Sequence, residues 1–458
     1  MLIQFTVGNF RSFREPQTFS MVAAPIKARD DSIDEANTFR FGKASGRLLR
    51  CALIYGANAS GKSNLVQAIR TMKNQVLGSQ RLRRGPLLDI EPFRLTTDTV
   101  HEPSFFEAVF LLDGIETRYG FMATAEKVVG EWLFQRTTAK ERRLFMRRNS
   151  EITIGEHFTE GVGLEPRTRP DALFLTVVAE FNGAVASGVA RWFQDLTVRT
   201  SAFVPHQTHT IQAIESGPFR DGIIRLIQEL DFGIADIRID REESPPELFE
   251  EPESDSGTFR LPRRYRDRPQ VRTLHRSYTG EGEPAGAVEF DFTHNESEGT
   301  KKVFALAGVF VQALQRGDVV VLDELDAQLH PHLTQALVGL FASPLTNPGN
   351  GQLIFTTHDT HLQDSRRLRR DQVWIAEKTR VGATKLRSLS EYHGVRNDAS
   401  YEERYLQGLF GGIPQVGDPG AALSMVFERA LLPKTDDELS QLSLDWSQRR
   451  LSVPRDEE

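Results

Sequence analysis

The run Gly56-Ala57-Asn58-Ala59-Ser60-Gly61-Lys62-Ser63 limits what this chain can fold into more than any other stretch. Glycine at Gly56 and Gly61 lets the backbone enter conformations that a side chain obstructs, so that successive N–H groups converge on phosphate oxygens. Lys62 is placed to put its ammonium between a β- and a γ-phosphate, and Ser63 to offer its hydroxyl to Mg²⁺. The flanks agree with this. Leu53-Ile54-Tyr55 reads as a short buried strand, and Leu65, Val66, Ala68, Ile69 and Met72 follow at helical spacing. A strand, a glycine loop and a helix N-terminus together make an anion site. The plainer reading, a glycine-rich turn without a ligand, leaves those flanks unexplained.

Composition sets the outer bounds. The chain has 458 residues, 39% hydrophobic and 26% charged, in the range of globular proteins. A net charge of −7 does not suggest a general nucleic-acid coat, although it leaves room for a local basic groove. The single cysteine, Cys51, excludes an intrachain disulfide and fits a reducing compartment. The opening MLIQFTVGNFRSF alternates apolar and polar residues and lacks the apolar core of a secretory signal. The longest apolar stretch, residues 303–314, contains Gln312 and is too short to span a bilayer. The expectation is a cytoplasmic protein without a membrane segment.

Residues 1–24 read as strands that precede the loop, with Phe5, Val7, Phe10 and Phe13 on a buried face. Residues 104–155 read as an antiparallel meander, its first hairpin turning at Asp113-Gly114. Residues 171–230 turn helical without sustained heptads, which excludes a long coiled coil. Residues 241–257 are acidic with three prolines, and residues 260–276 are densely basic. That pair reads first as a solvated loop followed by an edge strand with its arginines outward, and second as a nucleic-acid contact. Further arginines cluster at 81–84, 142–143, 147–148 and 366–370. The expected domains are an N-terminal lobe over 1–160, a helical insertion over 161–285, a C-terminal lobe over 286–415 and an extension over 416–458.

A phosphate loop alone does not hydrolyse anything. Hydrolysis needs a metal ligand and a group that positions water. Asp318-Val319-Val320-Val321-Leu322-Asp323-Glu324 can supply both. Val319 to Leu322 read as a buried parallel strand. Asp323 at its end is suited to hold Mg²⁺, and Glu324 to orient or deprotonate water. The strand GQLIFTTHD (residues 351–359) ends near His358, which stands 35 residues beyond Asp323, room for one helix and one adjoining strand. A histidine there can reach a γ-phosphate. Ser297 and Gly299 open an apolar helix just before the Asp323 strand, a second anion site or a simple serine cap.

With these residues in hand, the chain resembles an ABC-type ATPase head. The family signature L-S-G-G-Q departs here to Glu296-Ser297-Glu298-Gly299-Thr300. In such heads two protomers sandwich two nucleotides, so the resemblance implies a homodimer in which Ser297 and Gly299 act on the partner's nucleotide. The opening Asn9-Phe10-Arg11-Ser12-Phe13, with Asn58 and Asn64 around the loop, is similar to SMC, RecF and OLD-type ATPases. In that branch Arg11 is implied to meet the phosphates. The runs LRRDQVWIAEK, LRSLSEYHGVR and YLQGLFGGIP resemble compact prokaryotic ATPases of anti-phage systems such as PARIS, AbiL and Septu. No D-x-D pair of an OLD-type nuclease follows His358. The resemblance therefore implies an α/β ABC-type head with an antiparallel β subdomain, ATP and Mg²⁺ as cofactors, and a separate effector protein as partner. A RecF-like DNA-binding ATPase is the alternative.

Overall fold

A computed structural model describes residues 1–41, 46–78, 88–137, 140–200, 207–230, 232–242, 268–396, 398–414, 417–421, 423 and 424. The basic cluster at 81–84, the acidic stretch from 243 to 257 and residues 260–267 lie outside the described residues. Met1–Ile413 forms one compact unit and Pro414–Glu458 a second. In the second, the Asp418 carboxylate accepts the Ala421 N–H at 2.9 Å.

The centre of the first unit is a six-stranded sheet. Its spatial order is Thr197–Arg199, Val319–Leu322, Gln352–Thr356, Cys51–Tyr55, Val373–Lys378, Thr384–Ser388. All neighbours are parallel except the last pair. Cys51–Tyr55, Val319–Leu322 and Gln352–Thr356 are buried at every residue, as apolar runs in a covered parallel sheet must be. Alternation divides their side chains between two cores. Ala52, Ile54, Val319 and Val321 face one core with Leu65, Ile69 and Met72 of the helix Lys62–Gly78. Cys51, Leu53, Tyr55, Val320 and Leu322 face the other, with Phe310 of the helix Glu298–Arg316 and Phe341 of the helix Pro331–Ala342.

A seven-stranded antiparallel sheet covers the first core. It runs Glu151–Ile154, Glu141–Arg148, Val128–Arg136, Ile115–Ala123, Ser104–Leu112, Leu2–Gly8, Gln17–Ser20. Its first hairpin turns where expected, with Asp113 at φ 49° and Gly114 at φ 77°, the conformation that suits the strand twist. Phe106, Ala108 and Phe110 alternate inward from Ser104–Leu112.

Residues 161–285 hold the expected helices, among them Phe174–Glu180, Ala184–Asp195, Thr208–Glu215 and Arg220–Glu229. They also hold β structure that periodicity did not reveal. Thr197–Arg199 adds to the edge of the central sheet beside Val319–Leu322. Ile234–Glu242, Arg268–Tyr278 and Pro284–Asp291 form a three-stranded sheet. Arg268–Tyr278 is thus a middle strand, not the edge strand read from the basic run. Its apolar positions are sparse, and Val271 with Ile237 is enough to pack one face onto the Ile211 and Ile223 helices. The longest described helix, Glu298–Arg316, has 19 residues, so the described residues contain no long coiled coil. No helix among them is long and apolar enough to cross a membrane.

Candidate functional site

Three strand ends face one edge of the central sheet. The glycine loop follows Cys51–Tyr55, Asp323 and Glu324 follow Val319–Leu322, and Thr357 and His358 follow Gln352–Thr356. Parallel pairing in register brings the three ends level. Open α/β sheets receive ligands outside such carboxyl ends.

The loop needs its glycines. Gly56 has φ 151° and Gly61 φ 105°, both on the side of backbone space that favours glycine. A Cβ on Gly56 would overlap the Ala376 carbonyl and come within 2.5 Å of Ser60 Oγ. One on Gly61 would overlap Thr384 Oγ1 and come within 2.7 Å of Ser12 Oγ. Ala59 also lies at positive φ, 62°. Lys62 is 6% exposed, and its ammonium donates to the carbonyls of Gly56 at 2.7 Å and Ala57 at 3.1 Å. Burial holds its pKa below the usual lysine value, opposed by the carboxylates of Asp323, Glu324 and Asp326. An ammonium folded over its own loop has anionic oxygens as its natural replacement partners. Asn58 is exposed at the loop tip.

Arg11, Ser12 and residues 59–64 line a cavity of about 360 Å³ over the loop. Ser60 Oγ is buried there without a hydrogen-bond partner. Such an orphaned hydroxyl in a phosphate-sized hollow fits an anionic ligand. Arg11 sits at φ 48° and pairs with Glu91 at 3.3 Å. Asn64 does not reach into the cavity alone, because its amide donates to Ser12 Oγ at 2.7 Å.

The two acids differ in setting. Asp323 is 8% exposed. Ser63 Oγ donates to Asp323 Oδ1 at 3.1 Å across 260 residues of sequence. A hydroxyl and a carboxylate in this juxtaposition are hard oxygen donors of the kind Mg²⁺ takes. Glu324 stands in the left-handed region at φ 52°, with its N–H donated to Thr356 Oγ1 at 2.7 Å. Glu324 and Asp323 together line a cavity of about 250 Å³ with Arg199, Lys302 and Gln328, distinct from the one over the glycine loop. His358 is exposed, and its backbone N–H donates to the Asp326 carboxylate at 3.1 Å.

Ser297 caps the helix Glu298–Arg316, its Oγ accepting the Thr300 N–H at 3.1 Å. Gly299 is needed for close approach, since a Cβ there would stand 2.8 Å from the Gln328 carbonyl. Neither residue lines the cavity over the glycine loop.

Residues 51–364 match the family described as "AAA domain, putative AbiEii toxin, Type IV TA system". The chain belongs to this AAA family. Among solved structures, this AAA domain is similar to an SMC head bound to the C-winged helix domain of ScpA, at 14% identity and a TM-score of 0.43, over 84% of this chain and 97% of that one. It is also similar to the SMC head domain from Thermotoga maritima, at 15% identity and a TM-score of 0.36, over 84% of this chain and 98% of that one. No curated protein matches it.

Several residues that build the site of this AAA domain carry no motif. Thr384 Oγ1 donates to the Ser60 carbonyl at 2.7 Å and lies in hydrogen-bond contact with Ser12 Oγ at 2.8 Å, fastening the loop to the N-terminal bend. Thr356 Oγ1 joins Asp323 to Glu324. The C-terminal run YLQGLFGGIP backs the loop, with the Tyr405 ring tilted against Tyr55 at 5.7 Å between centroids and Gly412 so close that a Cβ on it would stand 3.4 Å from the Gly56 Cα. Only the identity of Thr356, a small hydroxyl at a strand end beside an acidic pair, could have been noticed in advance.

Three arginines from the basic clusters have structural partners. Arg147 is 3% exposed and donates to the carbonyls of Asn149 and Ala172. Arg369 is buried between Asp34 and Asp371. Arg272 pairs with Asp291 at 3.3 Å. These three are engaged within the fold.

Proposed function

We propose that this AAA domain is an ATP-hydrolysing, dimeric switch that controls a separate effector, a toxin or nuclease, in a prokaryotic anti-phage system. The single observation that carries hydrolysis is the 3.1 Å contact between Ser63 and Asp323 beside the glycine loop. In this reading the N–H groups of residues 56–63 and the Lys62 ammonium bind the phosphates. Arg11, Asn58 and Asn64 frame the entrance. Ser63 and Asp323 hold Mg²⁺, which would offset the negative charge on the phosphate oxygens. Glu324 orients water and takes its proton, and His358 senses the γ-phosphate from the neighbouring strand end.

Ser297 and Gly299 complete the partner's site, so the working unit is a homodimer of lobes 1–160 and 286–415, with 161–285 as the insertion. Control of an effector is supported by the resemblance of residues 368–378, 386–396 and 405–414 to the ATPases of anti-phage systems. The test is phosphate release by the purified chain with ATP and Mg²⁺, compared with Glu324→Gln. Loss of the general base should slow turnover about a hundredfold or more while nucleotide still binds. Co-expression with the neighbouring genes then asks whether Glu324→Gln retains a stoichiometric protein partner. Robust turnover by Glu324→Gln overturns its role. Nucleic acid retained without a protein partner overturns the switch.

A further inference from the structure

The helix that begins at Ser297 and the turn that carries Glu324 are tied together by one side chain. Lys302, in the second turn of Glu298–Arg316, donates its ammonium to the Glu324 carbonyl at 2.8 Å and to the Ala327 carbonyl at 2.7 Å. The turn is a strained one. Glu324 at φ 52° and Gln328 at φ 65° both occupy the left-handed region, which costs about 1–2 kcal/mol per residue other than glycine. Its inner side is held by Thr356, through the Glu324 N–H. Its outer side is held by Lys302 and by the close approach of Gly299 to the Gln328 carbonyl. Arg199 and Lys302 line the 250 Å³ cavity together with Asp323 and Glu324, so the ammonium stands beside the acidic pair.

We propose that Lys302 is a positioning residue that couples the Ser297 end of its helix to the Glu324 turn of the same chain. Lys302 has this role only if the dimeric hydrolysis reading above holds. There, Ser297 and Gly299 touch the partner's nucleotide while Glu324 serves the chain's own. A displacement of the helix on closure would pass through the two carbonyl contacts to the Glu324 backbone. Occupancy of one site would thereby align the base of the other. Lys302 touches neither the glycine loop nor the Ser63–Asp323 pair, so nucleotide affinity should not depend on it.

The test measures steady-state phosphate release against ATP concentration, with nucleotide affinity from an independent equilibrium titration. The variants are Lys302→Met, which keeps length and loses the donor, and Lys302→Arg, which keeps a donor fork. For Lys302→Met we expect unchanged affinity, turnover lower by about tenfold or more, as misplacement of a catalytic group produces. We also expect a Hill coefficient reduced from about 2 towards 1, the value for two uncoupled sites. Lys302→Arg should restore most of both. A merely structural lysine would lower stability without changing the Hill coefficient. If Lys302→Met does not fold, as judged by thermal unfolding, Lys302→Gln replaces it with the same expectations. Cooperative turnover by the wild type that persists in Lys302→Met overturns the coupling role and leaves the proposed function standing. Absence of turnover or of cooperativity in the wild type overturns the dimeric reading and the coupling with it.

Discussion

Thr356 Oγ1 lies 2.6 Å from Asp323 Oδ1, and the same hydroxyl receives the Glu324 N–H at 2.7 Å. One fully buried threonine thus donates to the first acid and accepts from the second. Replacing it by valine keeps shape and removes both bonds. The Glu324 N–H and one Asp323 oxygen then lose a partner in a buried setting, at a cost of about 1–3 kcal/mol. Thr356→Val should lower the urea midpoint accordingly and slow ATP turnover more than it weakens nucleotide binding. Serine at 356 should restore most of the rate. A valine variant with full turnover would show that the Glu324 backbone needs no such anchor.

The loop glycines and a helix glycine make opposite predictions. Gly61→Ala should abolish binding of a fluorescent ATP analogue, because the new methyl overlaps Thr384 Oγ1 at a positive φ. Gly339, inside the helix Pro331–Ala342, has open space where a Cβ would go. Gly339→Ala should raise stability by about 0.5–1 kcal/mol, the usual helix gain over glycine, with nucleotide binding unchanged. Thermal unfolding of the two variants side by side checks the signs.

Lys62→Ala addresses the ammonium itself. It removes a buried donor from two loop carbonyls and the charge that would face phosphate. Equilibrium titration should show affinity for ATP falling by at least about a hundredfold, the scale of a charge-assisted contact of about 3 kcal/mol. Retained affinity would locate the phosphates elsewhere.

Asp318 gives a pH signature. It stands half-buried at the start of the Val319–Leu322 strand, and burial, with Asp195 adding, pushes its pKa up to about 6. A raised carboxyl pKa means that the folded state binds the proton more tightly than the unfolded one. Its stabilising share is fully present below about pH 4 and is lost as pH rises through about 6. Asp318→Asn should therefore be the more stable protein at pH 8, by about 1 kcal/mol, less than the full shift because the group is partly solvated. At pH 5 the difference should shrink. Urea unfolding at the two pH values measures it, and an equal difference at both would assign the effect to something other than this carboxyl.

The readable parts of the site were local ones. Residues 53–72 contain the strand, the glycines and the helix spacing within one window, and residues 318–324 place two acids directly after four apolar residues. Periodicity also divided buried strands from helices. What stayed hidden depends on neighbours far apart in sequence. Thr197–Arg199 is too short to show a period and becomes a strand by pairing with Val319–Leu322. Arg268–Tyr278 looked like an edge because its partners are as charged as itself. The Ser12–Thr384 contact spans 372 positions, and neither residue announces the other. Lys302 reads as one more polar residue on a helix until the Glu324 turn is laid against it.

The fastening of Ser12 and Ser60 to Thr384 has a consequence for how the protein is made. The glycine loop emerges from the ribosome early, yet its strand Cys51–Tyr55 has both of its sheet neighbours, Gln352–Thr356 and Val373–Lys378, some three hundred residues later. Domains assemble during synthesis from their N-terminal ends, and distant pairings are slow to close. A nascent chain that has exposed the loop alone carries the nucleotide motif without the walls that shape it. Competence to bind ATP should arrive late and all at once, when the segment through Thr384 has joined. An unfinished copy of this chain should therefore hold no nucleotide, whatever the ATP concentration around it.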